Sequence, residues 1–88
     1  MDSSNVLRIF ASVPRLKLIT CLKSGRKNVS ELIKTCGLSQ SAVSQHLSKL
    51  KKSGLVKAEK EGRVIYYSLT DKEIVSISQK LFNFLKKI

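Results

Sequence analysis

Residues 40–52 carry the chain's densest hydrogen-bonding chemistry. At about 100° of turn per residue, Ser41, Ser44, Gln45, Ser48, Lys49 and Lys52 fall on one side of a helix, with Gln40 at its start. Val43, Leu47 and Leu50 fall on the other side, which must pack on a core. Glutamine can contact adenine with two hydrogen bonds, and serine can donate or accept at any base edge in a major groove. Short side chains let such a helix sink into the groove, and Lys49, Lys51 and Lys52 give it a phosphate-seeking end. Ser39 precedes the helix as its N-cap. His46, at the edge of the apolar stripe, suits a hydrogen bond to backbone or phosphate. The competing reading is a solvated polar face with no ligand.

The charge balance supports a polyanionic partner. Lysine and arginine number 17 against 6 acidic residues, a net charge of +11 over 88 residues. Such an excess favours nucleic acid or an anionic membrane. No apolar run reaches the about 18 residues of a membrane span. Asp2, Ser3, Ser4 and Asn5 do not make a secretory signal, so a cytoplasmic, reducing location is expected. Cys21 and Cys36 are then expected as free thiols that pack in the interior. The single histidine cannot by itself form a metal site, and no metal or other cofactor is expected. Nothing pairs a nucleophile with a base, and the acids are scattered. Asp2, Glu31, Glu59, Glu61, Asp71 and Glu73 read as helix caps or loop charges, so an enzyme is not expected.

Glycine and proline punctuate the elements that position this face. A short first helix over 3–10 places Val6, Leu7 and Phe10 on one side. Ser12 and Pro14 start a second helix that runs to about Ser24, striped by Leu16, Ile19 and Leu22 and stopped by Gly25. Asn28 and Glu31 form a capping box for a third helix that ends at Gly37. The fourth helix follows at Gln40 and closes at Gly54. Two helices joined around a glycine, over about 29–52, form the helix-turn-helix pattern. Residues 55–69 then change to strand formers, with Lys60-Glu61-Gly62-Arg63 as a hairpin turn. Thr70 and Glu73 suggest a second capping box opening a last helix over about 71–87. The chain is therefore expected to be mainly α with a β-hairpin wing, in the order α-α-α-α-β-β-α: a winged helix-turn-helix in one domain, 1–88.

The last helix is apolar over about half its circumference. Ile74, Ile77, Leu81, Phe84, Leu85 and Ile88 form one stripe, widened by Val75 and Phe82. A partner helix best explains the spare apolar face. With Lys80, Lys86 and Lys87 alongside, a helix lying on a membrane is the alternative.

Leu38-Ser39-Gln40-Ser41-Ala42-Val43-Ser44-Gln45-His46-Leu47, then Leu50, Gly54-Leu55-Val56 and Gly62-Arg63-Val64-Ile65-Tyr66-Tyr67-Ser68-Leu69, resemble the ArsR/SmtB family of prokaryotic repressors. Ser12-Val13-Pro14-Arg15-Leu16 and Ser30-Glu31-Leu32 extend the resemblance over nearly the whole chain. It implies a winged-helix homodimer joined by its first and last helices, with Val6, Leu7, Phe10, Ile74, Ile77, Leu81, Phe84 and Leu85 at the interface. It implies an operator of inverted-repeat form in double-stranded DNA. By position, Gln40, Ser41, Ser44 and Gln45 match the family's base-contacting residues, and Lys60 and Arg63 match the wing that approaches the minor groove.

Many members of that family release DNA on binding metal, and here the chain departs from them. Where they carry Cys-x-Cys in the third helix, it has Glu31-Leu32-Ile33-Lys34-Thr35-Cys36, with one thiol. Where they carry histidines on the last helix, it has Asp71-Lys72-Glu73 and no histidine after position 46. Other members sense oxidants or reactive sulfur through cysteines in the second and last helices, and only Cys21 corresponds. The expectation is a sequence-specific repressor without a recognisable metal site, its effector open. The alternatives are a thiol-based redox sensor using Cys21 and Cys36, a non-specific architectural DNA-binding protein, and a module that docks another protein.

Overall fold

The computed structural model describes residues 3–88; Asp2, expected as a cap or loop charge, lies outside them. The elements are α1 (Ser3–Phe10), α2 (Val13–Cys21), α3 (Val29–Cys36), α4 (Gln40–Lys52), β1 (Val56–Glu61), β2 (Val64–Leu69) and α5 (Glu73–Lys86). This is the winged helix-turn-helix order.

Local chemistry sets most boundaries. The Ser12 hydroxyl accepts from the Arg15 amide at 3.5 Å, with Pro14 in the first turn of α2. At α3 the Glu31 amide donates to Asn28 Oδ1 at 2.9 Å, and the Asn28 amide donates to Glu31 Oε1 at 3.1 Å. Two otherwise orphaned amides are thereby satisfied. Gly37 ends α3 at φ 68°, a left-handed conformation that costs glycine little. The Ser39 hydroxyl then accepts from the Ala42 amide at 3.1 Å and starts α4.

Helix α2 is the hub, packing on α1, α3, α4 and α5. Its expected stripe of Leu16, Ile19 and Leu22 is buried, and so is Leu18. A helix enclosed on several sides buries more than one stripe. It is also shorter than expected: Leu22 is its C-cap, and residues 22–24 form a turn. Leu18, Ile19 and Leu22 join Ile9, Leu32, Val43, Leu47, Leu50, Leu55, Val56 and Ile74 in one continuous core.

The hairpin pairs antiparallel from Val56–Leu69 to Glu61–Val64. Gly62, at φ 64°, takes the first of two turn positions, where glycine-led hairpin turns need a positive φ. The root is tied down twice. Lys27 and Tyr67 exchange backbone hydrogen bonds of 3.0 and 2.8 Å, joining β2 to the α2–α3 connector. The Thr70 hydroxyl donates to the Gly54 carbonyl at 2.8 Å, joining the end of β2 to the end of α4.

That last bond overturns the second expected capping box. With Thr70 engaged by the α4–β1 turn, α5 starts later, and Lys72 stands at its N-cap without a side-chain bond. Asp71 Oδ1 accepts from the Glu73 amide at 2.9 Å instead.

Helix α5 carries one costly group. Ser78 is fully buried, and its hydroxyl has no hydrogen-bond partner. An unpaired buried hydroxyl costs about 1–3 kcal/mol. Ser78→Ala is therefore expected to stabilise the fold, raising the thermal midpoint by about 4–8 °C for each kcal/mol recovered. A calorimetric scan showing a lower midpoint would contradict this.

Candidate nucleic-acid interface

Val43, Leu47 and Leu50, at 0, 1 and 0% exposure, lock the rotation of α4 about its axis. Burying each is worth about 1.5–3 kcal/mol, so turning them outward is prohibitive. The same rotation exposes Gln40, Ser41, Ser44, Gln45, Ser48, Lys49 and Lys52. Ser44, Gln45, Ser48, Lys49 and Lys52 line a shallow groove along this face. Ser39 is exposed too, but its oxygen is already engaged as the cap, which leaves its hydroxyl proton for a ligand. Lys49, Lys51 and Lys52 occupy the last turn, where they also complement the negative end of the helix dipole.

His46 sits apart from this face. It is half-buried, and its Nδ1 is buried without a hydrogen-bond partner. Burial, and then the nearby charges of Arg15 and Lys49, push its pKa below the usual value. The imidazole is therefore neutral at neutral pH and adds no charge to the surface.

On the hairpin, Lys60 and Arg63 are exposed. The wing's carboxylates are occupied: Glu61 pairs with Arg26 at 2.6 Å and Glu59 with Lys57 at 3.6 Å. Lys60 and Arg63 take part in neither pair, so their charges stay available. Arg26 also stacks over the Tyr66 ring at 4.3 Å. Sequence reasoning missed Arg26 and the Lys27–Tyr67 bridge. Both are long-range contacts with no local signal.

The cysteines depart from expectation. Cys21, the last residue of α2, and Cys36, the last of α3, are bonded as a disulfide with their Cα atoms 6.5 Å apart. They are not free packing thiols. The packing of α2 on α3 brings the two helix ends together, a proximity that a separation of 15 residues does not reveal.

The expected dimer residues divide. Leu7, Ile77, Phe84 and Leu85 are 71, 51, 60 and 40% exposed. Leu7, Phe10, Leu81 and Leu85 line an apolar groove with Ala11, Ser12 and Val13. Val6 and Phe10 are half-buried against the protomer's own core. Ile74 is a correction: at 6% exposure it belongs to that core and has almost no surface left for a partner. It lies in the first turn of α5, where the helix is still under the body of the fold.

Comparison with known proteins decides the family. The family model described as "Bacterial regulatory protein, arsR family" matches residues 12–58. The chain belongs to the ArsR family. It is 36% identical over 76 residues to the transcriptional activator HlyU of Vibrio cholerae, covering 86% of this chain and 70% of HlyU. It is 36% identical over 74 residues to the regulator NmtR of Mycobacterium tuberculosis, covering 84% of this chain but 62% of NmtR. The solved structure of Vibrio cholerae HlyU superposes with a TM-score of 0.78 at 33% identity, over 93% of this chain and 89% of that one. NolR from Sinorhizobium fredii superposes with a TM-score of 0.80 at 34% identity, over 93% and 82%.

ArsR-family proteins are transcriptional regulators, so this chain is a DNA-binding regulator and not an enzyme. Among the described residues, no group of three or more His, Cys, Asp or Glu side chains could hold a metal ion. No helix among the described residues is long and apolar enough to cross a membrane.

Proposed function

We propose that this ArsR-family chain acts in the cytoplasm as a homodimeric repressor that reads an inverted-repeat operator. The observation that carries the reading is the α4 face. A buried apolar edge holds Gln40, Ser41, Ser44 and Gln45 outward together, with lysines following. Residues 29–52 serve as the helix-turn-helix and 55–69 as the wing. The exposed apolar parts of 3–10 and 71–87 join two protomers. Two recognition helices then enter successive major grooves about 34 Å apart. Ser39 and Lys49 border the base-reading residues, His46 sits behind them, and Lys60 and Arg63 neutralise backbone charge beside the minor groove. Repression follows from occupancy, since bound DNA is closed to competing factors.

The test is fluorescence anisotropy of the gene's own upstream duplex against a scrambled duplex at two salt concentrations. Preference for the native duplex, with affinity falling steeply with salt, is expected. Equal binding to both would replace the reading with an architectural coating protein.

The disulfide favours a second reading, in which thiol redox state tunes that binding. It joins the last residue of α2 to the last residue of α3, the first helix of the helix-turn-helix. The adjoining recess is open and lined by Lys17 and Lys86, which suits approach by an anionic reductant. Under this reading the same titration gives a different affinity with reductant present.

A further inference from the structure

We propose that a cationic recess between α1, the start of α2 and the end of α4 is a phosphate site that grips the operator backbone midway between the two half-sites. Arg8, Ile9, Arg15, Lys49, Lys52 and Ser53 line a space of about 320 Å³. Four of these six residues are cations, and neither ion pair formed among the described residues neutralises any of them. The Arg15 guanidinium is set in place by a 2.9 Å hydrogen bond from Nη1 to the Arg8 carbonyl. Its Nε is buried and has no partner. A guanidinium so fixed can offer its remaining Nη–H donors, beside the Arg8, Lys49 and Lys52 charges, to a phosphodiester oxygen. His46, held neutral beside Arg15 and Lys49, does not add to the local repulsion.

Position identifies which phosphate. Lys49 and Lys52 line both this recess and the groove on the recognition face, so the two surfaces are continuous. Arg8 lies on α1, next to Leu7, which lines the apolar groove of the proposed dimer. On the proposed dimer, with α1 at the interface, the recess lies toward the dyad from each recognition helix. The inference rests on the dimeric operator-binding reading and adds contacts at the operator centre, where no base-reading residue reaches.

The test uses the full chain and its own upstream duplex, with the phosphates at the centre of the inverted repeat left ordinary or replaced by uncharged methylphosphonates. For the unaltered chain, neutralising them is expected to weaken binding about tenfold. Arg15→Gln should bind the ordinary duplex about that much more weakly, with a salt slope smaller by about one, and should ignore the replacement. Arg8→Gln, which leaves the backbone carbonyl bond to Arg15 in place, should behave the same way. If neutralisation weakens unaltered and substituted chains equally, the site is overturned. A free anion is the other source of the same chemistry. Saturable competition by inorganic phosphate, beyond that of chloride at equal ionic strength, would assign the recess to that anion and overturn the backbone contact. If the unaltered chain fails to prefer its own duplex, the operator reading falls and takes this site with it. Intact preference, with Arg15→Gln and Arg8→Gln binding the ordinary duplex as tightly as the unaltered chain, removes the site alone.

Discussion

Replacing Gln40 and Ser44 together by alanine is expected to reduce the preference for the native over a scrambled duplex by about 10- to 100-fold, with scrambled binding nearly unchanged. Discrimination by a good bidentate contact is worth about 1–3 kcal/mol, and a single serine contact less. Neither side chain forms a hydrogen bond or ion pair with the described fold, and both are exposed, so their truncation leaves the core intact. Sequence-independent affinity resides in lysine and arginine at phosphates, which the substitution does not touch. Anisotropy with both duplexes, beside a thermal scan showing an unchanged midpoint, checks this. Equal loss on both duplexes would mean that α4 contributes charge and not readout.

Leu7→Glu combined with Phe84→Glu is expected to yield a monomer whose operator affinity is lower by about 100-fold or more. Both side chains are largely exposed in the protomer, at 71 and 60%, so a carboxylate there costs the isolated fold little. At a dimer interface the same carboxylate is buried without a partner, and the penalty reaches several kcal/mol. Operator affinity falls because one half-site no longer presents the second at high local concentration. Sedimentation gives the oligomeric state directly. A dimer that persists with unchanged affinity would move the interface elsewhere on the surface.

Where the physics is local, the sequence was readable. The Asn28–Glu31 box, the Ser39 cap and the αL glycine at position 37 act within four residues, and each appears where spacing puts it. The α4 face was readable for a similar reason: one helix, one buried edge, one period. Features that depend on distant neighbours were not. Thr70 looks like a cap until Gly54, far back in the chain, claims its hydroxyl. Leu18 looks peripheral until α2 is found surrounded. Ile74 continues the apolar stripe of α5, but only the packed fold separates its core part from its exposed part. The cysteines belong to two helices whose ends meet only after folding. Arg15 reads as an ordinary first-turn residue until α1 and α4 close around it.

The tether at Lys27 and Tyr67 has a mechanical consequence. A hairpin held only by its own turn would swing, and its tip would adapt to whatever lay beneath it. Here the strand is stitched to the connector immediately ahead of α3, with Arg26 bracing Glu61 and Tyr66 from the same side. The tip and the recognition helix thus work like the jaws of a caliper set to a fixed gap. In the proposed operator-bound arrangement, such an instrument would register the width of the neighbouring minor groove, which varies with base composition. Stiff, narrow-grooved flanks would then be distinguished from pliant ones by fit, with no base edge touched.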